Sequence, residues 1–160
     1  FVCRFGTSRA AAFHKRGAVT ALLTRSLGHG VAHSSSDRIA LLVDGDCKGP
    51  ASWPALVAAV NARGRSVSKC VFGPPEREKN ENWQRALKSL DMKFIAVPRG
   101  AGGKDPNDIA IGMEAAVLGR YGVTVALAVE DSDFAYVARR LHQMGITVLL
   151  LLAEGTHFGV

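Results

Sequence analysis

Residues 125–151, VALAVEDSDFAYVARRLHQMGITVLLL, decide how this chain folds. VALAV is a short unbroken apolar run, and ITVLLLL, starting at Ile146, is another. Between them SDFAYVARRLHQMG has helical spacing and closes on Gly145, a helix stop. Strands without polar alternation are strands covered on both faces. A strand, a helix and a second such strand in this order make a parallel pair.

The same grammar extends backwards through the chain. IALLV (39–43) reads as a buried strand, followed by the helix SWPALVAAVNARG, with Ser52 as N-cap and Gly64 past its end. SVSKCVF (66–72) is a second strand, GPPEREK a loop, and NENWQRALKSL a helix opened by Asn80. KFIAV is a third strand and PRGAGGK a Gly-rich loop. DPNDIAIGMEAAVLGRYG is a helix with Asp105 as N-cap and Pro106 in its first position. VTVALAV and ITVLLLL are the fourth and fifth strands. The expected fold class is α/β: a three-layer α/β/α, doubly wound, mostly parallel five-stranded sheet of Rossmann-like type.

Ligands of such sheets bind at the carboxyl ends of the strands, where strand order reverses. The first strand ends in VDGDC, with Asp44 and Asp46, and the fourth in VEDSD, with Glu130, Asp131 and Asp133. The second and third end in VFG and VPRG, without acids. Each acid has a plain role open to it: Asp105, Asp131 or Ser132 as a helix cap, Asp108 in a first helical turn, Asp44 and Asp46 in a turn. Capping does not explain why the acids select two strand ends. If those strands are neighbours, the carboxylates converge with Asp108, and a hard divalent cation, Mg²⁺ or Mn²⁺, relieves their repulsion.

Three acidic-site folds fit less well. A receiver domain needs an Asp after the third strand. A haloacid-dehalogenase-like phosphatase, with Asp44 as nucleophile, has DxD but does not continue as CKG. A dinucleotide-binding domain needs G-x-G-x-x-G. The order IALLVDGD, then NWQRALKSLDMKFIAVPRGAGGKDPNDIAIGMEA, then VALAVEDSDFAYVARRLHQMGITVLLL resembles the NYN domain, in its LabA-like branch of the PIN-like nucleases, over residues 38–152. D-S-D-F followed by a helix and GITV carries most of the likeness. The resemblance implies a metal-dependent endoribonuclease using Mg²⁺ or Mn²⁺ on single-stranded RNA. It implies catalytic roles for Asp44, Asp108, Asp131 and Asp133, the first three as metal ligands, with Asp46 and Glu114 in support. Glu114 stands about 120° around the helix from Asp108. Lys104, Arg99, Arg77 and Lys79 are candidate phosphate contacts, whereas Trp83 reads better as core than as a base-stacking platform. Two departures weaken the match: Cys47 where the family often has Asn, and Glu130 where a small or polar residue is usual. They leave open an RNA-binding or interaction module with weak or no cleavage, and fold alone does not choose between the two. His142 and His157 receive no catalytic role.

Composition sets the remaining bounds. The 160 residues are 48% hydrophobic, enough for one domain with a sizeable core. Five of the 20 basic residues and none of the 14 acids fall in residues 1–36, so +5 of the net charge of +6 belongs to that leader and the remainder is near neutral. The leader is expected to be a disordered tail, either an organellar transit peptide or a translated upstream segment. The expected location is accordingly intracellular, in the cytoplasm or, with a transit peptide, in a mitochondrion or plastid. The first residue is not Met, as in a fragment, and residues 37–160 form the expected domain, with a C-terminal edge that is incomplete after Leu152. No apolar run of about 18 residues is present, so no membrane span is expected. Cys3, Cys47 and Cys70 form no CxxC, which argues against structural zinc and a disulfide framework.

Overall fold

The computed structural model describes residues 19–24, 38–100 and 106–153. Its elements are β1 (Val19–Thr24), β2 (Arg38–Asp44), α1 (Trp53–Asn61), β3 (Arg65–Gly73), a 3₁₀ turn (Pro75–Lys79), α2 (Glu81–Leu90), β4 (Lys93–Ala96), α3 (Asn107–Arg120), β5 (Thr124–Ala128), α4 (Phe134–Gln143) and β6 (Val148–Ala153). The sheet order is β1-β6-β5-β2-β3-β4. β2 to β6 form the expected parallel five-stranded sheet, and β2 lies between β3 and β5. The chain leaves β2 for β3 on one side and returns to β5 on the other. The carboxyl ends of β2 and β5 therefore flank the switch point.

Each central strand feeds two cores, as a period of two dictates. Leu42, Leu127, Leu150 and Phe72 point into the layer of α3 and α4, with Ile111, Ala115, Phe134 and Leu141. Leu41, Val43, Ala126 and Leu149 point the other way, onto Trp53, Leu56, Val60 and Trp83 of α1 and α2. Trp53 and Phe134 are each sealed from solvent at the start of their helices. Burying one such aromatic ring stabilises the fold by about 1.5–3 kcal/mol. Trp83 stands edge-on to Trp53 at 5.0 Å and to Phe94 at 5.9 Å, so it is core, as its sequence setting suggests.

Three differences from the sequence reading have local causes. Val19–Thr24, inside the stretch read as a disordered leader, forms β1, antiparallel to β6 from Val19 opposite Ala153 to Thr24 opposite Val148. β6 would otherwise be an apolar edge strand with unpaired backbone groups, and VTALLT is a sequence suited to cover it. At α1, Ser52 occupies the N-cap position, but its hydroxyl donates to the Gly49 carbonyl at 2.8 Å instead of capping the helix. α3 starts at Asn107 rather than beside Asp105, with Pro106 at the cap position, and Asp105 lies outside the described residues. Asn80 does cap α2, its side-chain oxygen accepting from the amides of Asn82 and Trp83 at 3.0 and 3.2 Å. Among the described residues no helix is long and apolar enough to cross a membrane.

Candidate functional site

The turn DGDCK after β2 is held at three points. The amide of Lys48 donates to the Asp44 carbonyl at 2.8 Å, and the amide of Gly45 donates to the Phe72 carbonyl of β3 at 2.8 Å. The Trp53 indole donates to the Lys48 carbonyl at 2.8 Å. Gly45 is required here: a Cβ would stand 2.5 Å from the Phe72 carbonyl oxygen and 2.7 Å from the Trp83 ring. The turn is thus wedged between the two tryptophan-bearing helices and the end of β3.

Asp44 is 4% exposed, the deepest acid of the crevice. Its Oδ1 accepts from the Asp46 amide at 3.1 Å and from Asn107 Nδ2 at 3.5 Å, and its Oδ2 accepts from Cys47 Sγ at 2.9 Å. The same Asn107 amide donates to Asp46 Oδ2 at 3.1 Å, so both carboxylates converge on one nitrogen. Asn107 is 2% exposed in the first turn of α3, whose positive end favours the two acids. These donors to Asp44 are neutral. They orient a buried carboxylate without cancelling its charge.

Cys47 takes its state from these neighbours. Its pKa is pushed up from 9.0 to about 12, first by desolvation, although the residue as a whole counts as exposed. The hydrogen bond to Asp44 and the charges of Asp44 and Glu130 add to the rise. At neutral pH it is a thiol that donates, which suits a carboxylate neighbour, and not a soft thiolate ligand. Across the crevice, the buried ammonium of Lys48 pairs with Glu130, just beyond β5. This ion pair joins the carboxyl ends of β2 and β5 over 82 residues of sequence.

The other expected site residues are placed as follows. Asp131 and Asp133 are exposed at the rim beyond β5, and Asp131 Oδ1 accepts from the Asp133 amide at 2.9 Å, an Asx turn leading into α4. Asp133 holds the N-cap position without a capping side-chain bond. Asp108 is half-buried and lines a shallow groove between α3 and α4 with Tyr136, Val137 and Arg140. Asp44 and Asp46 meet on Asn107, whereas Asp108 lies toward α4 and Asp131 at the rim. Among the described residues no three His, Cys, Asp or Glu side chains gather to hold a metal. Asn107, Ile111 and Ala115 form the buried ridge of α3, and Asp108 follows one position round the helix. Glu114 lies seven residues from Asn107 and so shares its face, about 10 Å further along the axis. Arg77 sits over the Trp83 ring at 5.4 Å, Lys79 and Arg99 are exposed, and Lys104 and His157 lie outside the described residues.

The remaining donor set fits a smaller demand. Mg²⁺ is commonly held by one or two carboxylates and keeps several waters. Asp44 and Asp46, both hard oxygen donors directed at one point, meet that requirement. Asn107 and Lys48 are the members that sequence reasoning missed. Asn107 could have been found from its i+4 relation to Ile111 and Ala115, whereas nothing local marks Lys48.

No curated protein matches the chain. The NYN domain model matches residues 38–158, three-quarters of the sequence and all of the parallel sheet. The chain belongs to the NYN domain family.

Proposed function

We propose that this chain is a metal-dependent endoribonuclease whose centre is Asp44, acting with Asp46 on single-stranded RNA. The family is one of PIN-like nucleases, whose members generally bind RNA and depend on divalent metal. The observation that carries the reading is the buried Asp44 carboxylate at the switch point, sharing one amide donor with Asp46. Asp44 and Asp46 would hold Mg²⁺ or Mn²⁺, which supplies charge neutralisation at the phosphate and a water of lowered pKa. The chain's own residues do the positioning. Asn107 and the Asp46 amide fix the angle of Asp44 Oδ1, and the protonated Cys47 fixes Oδ2. Asp131 and Asp133, exposed beyond β5, and the half-buried Asp108 would be the further catalytic acids. Arg99, Arg77, Lys79 and Lys104 are the candidate phosphate contacts.

A second reading is favoured by one specific observation. The Lys48–Glu130 pair already places a cation between the two strand ends. That arrangement suits an RNA-binding NYN domain with little cleavage. The deciding experiment is cleavage of end-labelled single-stranded RNA with Mn²⁺ or Mg²⁺, comparing wild type with Asp44→Asn. The nuclease reading expects cleavage that falls on the order of 10²-fold or more in the variant. Retained RNA binding with no wild-type cleavage selects the second reading.

A further inference from the structure

Among the described residues the buried polar side chains are Asp44, Lys48 and Asn107, and all three stand at the switch point. Asp44 and Asn107 meet each other there, whereas the ammonium of Lys48 goes to Glu130. The main chain of Lys48 is pinned twice, its amide on the Asp44 carbonyl at 2.8 Å and its carbonyl on the Trp53 indole at 2.8 Å. The side chain therefore starts from a fixed point beside Asp44. An ammonium has three protons to donate, and Glu130 Oε1 takes one. The two partners are unequally placed: the Lys48 side chain is 8% exposed and that of Glu130 47%. A buried charge must keep a partner, whereas a half-exposed carboxylate can return to water. Glu130 is thus the replaceable member of the pair, and an anionic oxygen is what can replace it. Cys47 ties the pair to the acids, since its thiol donates to Asp44 Oδ2 at 2.9 Å and also feels the charge of Glu130.

We propose that Lys48 binds a phosphate oxygen of the RNA strand at Asp44, and that Glu130 holds its place until the strand arrives. The proposal rests on the RNA reading of the crevice and holds whether or not the strand is cut. Asp44 and Asp46 repel a phosphate, and a cation fixed beside them offsets that repulsion. One anionic oxygen exchanges for another, so the ammonium is never left unpaired while Glu130 turns to solvent. Glu130 is therefore a competitor of the phosphate for one cation.

The test is fluorescence anisotropy of a labelled single-stranded oligoribonucleotide with the full chain in EDTA, where binding is read without metal or cleavage. Lys48→Met should weaken binding about tenfold and flatten the dependence of log affinity on log salt by about 0.7, the share of one phosphate on a single strand. Glu130→Gln should tighten binding about tenfold, because the competitor is gone. A pair that only braces the fold would lose binding when broken from either end. Glu130→Gln added to Lys48→Met should gain nothing, whereas a general charge effect would add. Should Lys48→Met not fold, Glu130→Gln decides alone: RNA should raise its melting temperature more than that of the wild type. A Glu130→Gln chain that binds no tighter, or gains equally in both backgrounds, overturns the proposal and leaves the RNA reading standing. A wild-type chain that binds no RNA overturns both.

Discussion

Cys47 shows how a single side chain can be read from its partners. In a site built of carboxylates, a thiolate would add one more negative charge, and the surroundings prevent it. The raised pKa fixes the sign of the pH dependence. Below about pH 9 the thiol is protonated whether the chain is folded or not, and the shift contributes its full stabilisation. As the pH climbs toward about 12 that contribution is lost, because the unfolded chain releases its proton first. Site-resolved alkylation with iodoacetamide at pH 8 should find Cys47 slower than an ordinary exposed thiol by on the order of 10²-fold. The scarcity of thiolate is offset in part by the greater nucleophilicity of a more basic sulfur. Fast alkylation at pH 8 would contradict the hydrogen bond to Asp44. Asp44→Asn, which removes the nearest charge, should speed the reaction.

Among the elements, α2 carries the most informative exception. Its C-cap, Asp91, adopts φ 51 and ψ 53, the left-handed conformation that side chains with a Cβ resist. The conformation is required because the Met92 amide reaches back to the Leu87 carbonyl at 2.9 Å and closes the helix before β4. Asp91→Gly should therefore raise stability by about 1 kcal/mol, read as a higher midpoint in urea with an unchanged slope. The ion pair lost with Lys69 lies at the surface and offsets little of that gain. A lower midpoint would mean that the αL cap is not what sets the conformation of Asp91. α3 gives the contrasting case, in which local sequence offers two equal apolar ridges. Ile109, Met113 and Val117 would serve a sheet as well as Ile111 and Ala115 do, so the i+4 spacing marks Asn107 as a candidate without choosing it over Asp108.

At the scale of the whole molecule, the unexpected component is β1. It covers the outer edge of β6 across six register pairs, from a segment whose basic, acid-free composition reads as a tail. A chain beginning at Ser36 leaves that apolar edge open and should melt lower and aggregate more readily than the full chain. If the segment is only a leader, its removal leaves the melting temperature where it was. Light scattering during the melt separates the two outcomes.

The amino-acid sequence by itself determined the α/β class, the parallel five-stranded sheet and the position of Asp44 at a strand end. These follow from periodicity and punctuation, which are local: apolar runs of strand length, helix stops at glycine, acids at two strand ends. The tertiary structure alone decided which side chains meet. Asn107 reaches Asp44 over 63 residues of sequence, and Lys48 reaches Glu130 over 82. The first contact depends on how far α3 is rotated against the sheet and the second on β2 lying beside β5, and both are set by packing that no short window of sequence can rank.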